Sequence, residues 1–264
     1  MRVIAGNCIL ESFDISEKTA DFLMEMQRLY GFDLIYKSSW LKDNRSDPSY
    51  HTGLDYNESI TIFRYLKIKH GFSILTDFTY PEDLDGEIIN YIDIIQIPAY
   101  LCMQTHLVQQ AAAIGQTINI KKGQFLHPAD VNCIIRKIKA VNKKTPIWIT
   151  ERGTCFGYRD LVVDPRSLYT LRQTGYPVFV DIGHAVRKYG IPSSDTRHGG
   201  NKQFINTLAK MAVALGCHIF VEVHPNPEKA LCDAATQLNF EEFQQLMEEL
   251  IPFRKLAGEI YAPY

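Results

Sequence analysis

Cys8, His184, Glu222 and Asp233 combine a thiol, an imidazole and two carboxylates, the donor types that hold a borderline divalent cation of the Zn, Fe or Mn class. They are far apart in the chain, yet each stands at or just beyond a short apolar run, in VIAGNC, VDIGH, IFVEV and KALCDAA. A second set is basic: Lys37, Lys42, Arg45, Lys121, Lys122 and Arg152. The segment KSSWLKDNRS, which contains Asn44 and Ser46, mixes Lys, Arg, Ser and Asn. That mixture recognises phosphate or carboxylate, because Arg offers a planar fork, Lys a point charge, and the hydroxyl and amide groups fix orientation. Asp77 and Gln96 add a carboxylate and an amide at two further run ends. Each set also has a plain structural reading: Cys8 as a small buried apolar group, His184 as a hydrogen-bonded core imidazole, and the charged residues as solvated loops.

Residues so widely spaced can work together only if the fold returns many chain ends to one rim. Short β-branched runs at 3–9, 33–37, 73–77, 92–97, 117–120, 146–150, 177–180 and 218–223 predict eight strands. Helical periodicity separates each consecutive pair, as at 17–29, 58–70, 129–141 and 202–215, with a final helix from 240 to about 250. Gly31, Gly71, Gly115, Gly175 and Gly216 stand where helices must turn into the next strand. Eight βα units predict an α/β fold, a single (β/α)8 TIM barrel spanning residues 1–264 as one catalytic domain. An open doubly wound sheet competes, but no G-x-G-x-x-G turn follows the first run. Barrel enzymes carry their chemistry at the C-terminal ends of the strands, and here every predicted end delivers a polar or ionisable group. Tyr36, Trp40 and Phe156 are candidates for the walls of such a mouth, although aromatics there more often pack the core or a lid.

The composition narrows the function classes. A formal net charge of −2 argues against a broad nucleic-acid-binding face, so any bound anion must be held by a local cluster of bases. No apolar run approaches the roughly 20 residues of a membrane span, so no membrane partner is expected. The six cysteines are scattered without a CxxC pair, and MRVIAGNCIL reads directly into a strand with no leader, so a reduced cytoplasmic setting is expected.

With these residues in place, the chain resembles 3-deoxy-D-manno-octulosonate 8-phosphate synthase, and more closely its metal-dependent branch. The resemblance covers about residues 3–238 and rests on AGNCILES, KSSWLKDNRS, IIQIPAYL, INIKKGQF, TERGTCFGY, LVVDPRSL, VDIGH and VEVHPNPEKALCDAATQL. It implies condensation of phosphoenolpyruvate with arabinose 5-phosphate: C3 of the enol attacks the aldehyde, water adds at C2, and phosphate leaves with C–O cleavage. It also implies that Cys8, His184, Glu222 and Asp233 bind a divalent metal, the metal-independent branch having Asn in place of Cys8. Lys121, Arg152, Lys37 and Gln96 would take phosphoenolpyruvate, and Lys42, Asn44, Arg45 and Ser46 the aldose phosphate. Lys37, Asp77, His184 and Asp233 would be the catalytic groups. A homotetramer, and a place in lipopolysaccharide or related surface-sugar synthesis, are further implications of the resemblance alone. Three departures fall on the aldose side: Thr79 where the family usually has His, Met103 where it usually has Arg, and a loop after Ser46 about two residues short. They leave open a different aldose acceptor, and a Schiff-base barrel aldolase using Lys121 or Lys122 is a competing enzyme class.

Overall fold

The β-branched runs form eight parallel strands in a computed structural model that describes residues 1–155, 160–188, 191 and 198–260. They are β1 (Arg2–Gly6), β2 (Asp33–Lys37), β3 (Ser73–Asp77), β4 (Ile94–Ile97), β5 (Thr117–Lys121), β6 (Ile147–Glu151), β7 (Val178–Asp181) and β8 (His218–Glu222). Each pairs with its neighbour in chain order, and β8 pairs with β1, so the sheet closes into a barrel. Around it lie α1 (Phe13–Tyr30), α2 (Tyr56–His70), α3 (Thr105–Ile114), α4 (Val131–Val141), α5 (Pro165–Arg172), α6 (Ile205–Ala214) and α7 (Phe240–Ile260). No helix among the described residues is long and apolar enough to cross a membrane.

Side-chain alternation along the strands sorts the residues into layers. Val3, Ala5, Leu34, Tyr36, Ile74, Ile118 and Ile149 point outward into the core shared with the helices. Ile4, Ile35, Leu75, Ile94, Phe179 and Phe220 point inward and fill the barrel beneath its mouth, with Trp148 against them. Two residues further along each strand the side chain again points inward, one layer nearer the C-terminal rim. That layer contains Lys37, Asp77, Gln96, Asp181 and Glu222. A residue displaced by one, such as Glu151, faces the helices, where it accepts from Ser167 on α5.

Several predicted boundaries shift for identifiable reasons. The first strand ends at Gly6, where a Cβ would meet the Lys37 carbonyl oxygen at 2.1 Å, so the chain departs from the sheet. Cys8 consequently lies two residues beyond the strand, in a loop held by Ser39 N to Cys8 O at 3.3 Å and Leu10 N to Ser39 O at 2.9 Å. α1 begins earlier than its apolar periodicity suggests because Ser12 caps it, accepting from Ile15 N at 3.2 Å. Between β3 and β4 no α-helix forms. Pro81 and Gly86 break the segment into two 3-10 turns, Pro81–Asp85 and Glu87–Tyr91, which still bury Leu84 and Ile88. α7 runs through Pro252 to Ile260 instead of stopping near residue 250. Phe253 packs on the core, and Arg254 donates to the Tyr30 and Gly31 carbonyls at 2.7 and 2.8 Å, contacts that offset the missing backbone donor.

Candidate active site

The inward layer at the rim is almost entirely ionisable, and its members satisfy one another. Lys37, 1% exposed, donates to Cys8 O at 2.8 Å and Ser39 Oγ at 3.0 Å. Its ammonium also lies 3.4 Å from Glu222 Oε1 and 3.8 Å from Asp77 Oδ2. Asp77 accepts from Ser39 Oγ and Gln96 Nε2. Gln96 in turn accepts from Asn119 at 2.8 Å, and Asn119 from Thr150 at 2.8 Å, a hydrogen-bonded floor that fixes the acid above it. Lys121 lies 2.7 Å from Asp181 Oδ2, with its ammonium 4.2 Å from the centre of the Phe220 ring.

Burial works against the charge on Asp77, but Lys37, then Lys121 and Lys42, and the Gln96 amide outweigh it and hold the carboxyl at about 2. Its folded-state value is thus below its unfolded value near 3.8. Such a group contributes stability above its unfolded value and loses it as pH falls through the folded one, here roughly 2 kcal/mol lost between about pH 5 and pH 2. Asp77→Asn is expected to flatten that part of the acid dependence, measured by urea unfolding across the same range. An unchanged slope would exclude Asp77 as a source of acid lability.

Cys8, His184, Glu222 and Asp233 converge although their loops are remote in sequence: one donor atom from each lies within 4.8 Å of every other, and all four residues are buried. Cys8 Sγ lies 3.1 Å from Asp233 Oδ2, and His184 Nε2 is 3.5 Å from both Glu222 Oε1 and Asp233 Oδ2. On its far side His184 Nδ1 faces Asp181 Oδ2 at 2.9 Å, which aims Nε2 at the other donors. Asp233 is held at φ 46°, the one non-glycine residue with positive φ among those described, a conformation usually tolerated only where the surroundings demand it. Glu222 Oε2 is buried without a hydrogen bond, while Asp233 Oδ1 faces the Arg187 guanidinium at 3.1 Å. An orphaned carboxylate oxygen in a cluster that also offers a thiol, an imidazole and a second carboxylate fits a divalent cation. Burial, the neighbouring Cys232 and then Glu222 push the Cys8 thiol well above its ordinary range, against the pull of Lys42, 2.9 Å from its sulfur.

Two cavities open above this layer and share Lys42, Asn44, Tyr100, Arg152 and His184, so they form one mouth. The first, about 270 Å³, is walled by Lys37, Asp77, Thr79 and Lys121. The second, about 460 Å³, is walled by Arg45, Ser46, Asp47, Arg187, Lys188 and Asp233. The predicted metal, phosphoenolpyruvate and aldose-phosphate residues lie in the mouth, in the donor cluster or in the floor, and Gln96 acts from below through Asp77. Lys122 does not join them. One residue past Lys121, it faces outward, 3.3 Å from Glu151 and donating to the Gly123 and Leu126 carbonyls at 3.1 and 3.4 Å, which removes it as an amine nucleophile at the mouth. Tyr36 and Trp40 belong to the hydrophobic core, and Phe156 lies outside the described residues. Of the departures, Thr79 lines the first cavity, while Met103 packs on the core with its carbonyl held by Lys137 at 2.6 Å. Arg187 and Lys188 were not predicted. Reading three and four residues past His184 would have found them.

Residues 1–255 match the family described as the DAHP synthetase I family. The chain is 40% identical over 263 residues to a 2-dehydro-3-deoxyphosphooctonate aldolase of Legionella pneumophila (strain Corby), covering 99% of this chain and 93% of that one. A protein of the same name from Desulfosudis oleivorans is 40% identical over 259 residues, covering 97% and 91%. Another, from Nitratidesulfovibrio vulgaris, is 38% identical over 249 residues, covering 94% and 90%.

Proposed function

The chain belongs to the DAHP synthetase I family, and given that membership we propose that it condenses phosphoenolpyruvate with D-arabinose 5-phosphate, giving 3-deoxy-D-manno-octulosonate 8-phosphate and inorganic phosphate. The observation that carries the reading is the meeting, at one barrel mouth, of four buried side chains able to hold a metal ion with the cations Lys37, Lys42, Lys121 and Arg152. Two phosphorylated substrates repel each other strongly in a water-poor cavity, and a mouth lined by cations offsets that repulsion.

Lys121 and Arg152, with Lys37 beneath them, form the end that takes the carboxylate and phosphate of phosphoenolpyruvate. Arg152 is 7% exposed and held by Gln124 at 3.2 Å, so its fork is fixed before substrate arrives. Lys42, Asn44, Arg45 and Ser46 receive the aldose phosphate, bringing its aldehyde carbon to C3 of the enol. Asp77, held ionised by the surrounding cations, supplies a fixed carboxylate at the mouth that can orient the water adding at C2 and offset positive charge developing there as phosphate leaves. Cys8, His184, Glu222 and Asp233 would hold the divalent cation, of the Zn, Fe or Mn class, whose chemistry is Lewis acidity toward an aldehyde or water oxygen.

The test is phosphate release from phosphoenolpyruvate across a panel of aldoses and aldose phosphates, with metal supplied. Release is expected with arabinose 5-phosphate and is expected to stop on chelation. No release with any acceptor would overturn the reading.

A further inference from the structure

We propose that Arg187 determines acceptor specificity: together with Arg45 it forms a two-guanidinium grip, within one chain, that makes the site demand a phosphorylated aldose. This rests on the condensation proposed above and deepens it. Both arginines line the larger cavity, together with Lys42, Lys188 and Arg152, against the carboxylates of Asp47 and Asp233. Asp47 is turned aside by Ser49, whose backbone N–H donates to it at 2.8 Å. The cavity therefore carries an excess of positive charge on the acceptor side.

Among the described residues neither guanidinium is saturated. There Arg45 donates to neutral groups, Cys232 Sγ at 2.7 Å and Leu231 O at 3.3 Å, and its Nε is buried without a hydrogen bond. Arg187 places NH1 3.1 Å from Asp233 Oδ1, and its Nε likewise lacks a hydrogen bond. Asp233 is already faced by Lys42 at 3.7 Å and His184 at 3.5 Å, so one carboxylate is shared among three cationic or protonatable groups. A phosphate dianion is the complement such a pair of forks lacks.

The backbone fixes Arg187 in advance. It bridges Gly200 in an antiparallel pair, flanked by Lys188 N to Gly199 O at 2.8 Å and Asn201 N to Val186 O at 2.7 Å. Gly200 in turn lies against the segment that follows Asp233, where a Cβ would meet Thr236 Cγ2 at 2.3 Å. The grip is thus tied to the segment that carries Asp233.

The experiment compares metal-loaded wild type with Arg187→Gln and Arg187→Lys, using arabinose 5-phosphate and unphosphorylated arabinose as acceptors. Wild type is expected to prefer the phosphorylated sugar. Arg187→Gln is expected to raise KM for arabinose 5-phosphate ~30-fold, the loss of a charged hydrogen bond, with KM for phosphoenolpyruvate and metal content moving little. Arg187→Lys keeps a cation beside Asp233 but not the fork, and is expected to lose ~5-fold in the same KM. The inference falls if the phosphorylated-to-unphosphorylated preference survives in Arg187→Gln, or if that KM is unchanged in Arg187→Lys. It falls equally if Arg187→Gln sheds metal and turnover alike with both sugars, since Arg187 would then serve only to hold Asp233. Wild type inactive with every acceptor would instead overturn the parent reading.

Discussion

Cys8→Ala is expected to lose its bound divalent metal and to lower turnover ~10³-fold, a change of about 4 kcal/mol in the activation barrier. The magnitude follows from the donor set. Cys8 is the only sulfur among the four converging groups and the softest of them, and without it His184, Glu222 and Asp233 offer one nitrogen and two oxygens. The substitution also strips Lys42 of the sulfur 2.9 Å from its ammonium, which loosens the acceptor side of the mouth. Folding is expected to survive, because a small buried thiol packs much as alanine does and the cluster around it holds only Ile9 and Cys232. Metal content per chain and turnover are measured on the same preparation, beside wild type stripped with a chelator and then reloaded. Stripped wild type that keeps full turnover would show that no metal takes part.

How much of this was readable in the chain alone depends on which physical signal each residue carried. The barrel was legible because eight β-branched runs alternate with helical ones, and the closed parallel order of β1 to β8 follows that count. The inward layer was legible too, through a period of two: Lys37, Asp77, Asp181 and Glu222 each stand two residues beyond Ile35, Leu75, Phe179 and Phe220, which fill the barrel. The same rule separates Lys121 from Lys122, a distinction that grouping both as strand-end lysines concealed. The convergence of Asp233 was not legible from period or propensity. It depends on a turn beyond β8 with positive φ, closed by Thr236 N to Asp233 O at 3.0 Å and Gln237 N at 3.2 Å. Here the named resemblance supplied what spacing could not. Boundaries failed where one residue overrides a pattern, as with Gly6 against Lys37, Ser12 capping α1, and Pro252 tolerated inside α7.

Asp181→Asn is expected to reduce turnover ~10²–10³-fold while weakening both metal retention and phosphoenolpyruvate binding, because one buried carboxylate steadies both halves of the site. Asp181 is fully buried; its Oδ1 accepts from His184 N at 2.9 Å, and its Oδ2 lies 2.9 Å from His184 Nδ1 and 2.7 Å from Lys121 Nζ. Burial works against its charge, yet His184 and Lys121 overcome that and hold the carboxyl far below the usual carboxylate range. An amide of the same shape keeps the packing but cannot offer acceptors on both atoms, so the imidazole loses its fixed orientation toward Glu222 and Asp233. Lys121 loses its counter-charge in the same step, leaving an ammonium buried over the Phe220 ring with a neutral neighbour, and a stability loss of about 3–5 kcal/mol follows from breaking such a pair. The double effect separates this account from a local one. Were Asp181 merely a partner for His184, metal content would fall while KM for phosphoenolpyruvate stayed level; were it merely a partner for Lys121, the reverse would hold. Titrating metal and phosphoenolpyruvate separately against the variant distinguishes the three cases, and only a simultaneous shift in both agrees with a carboxylate shared between the two sets.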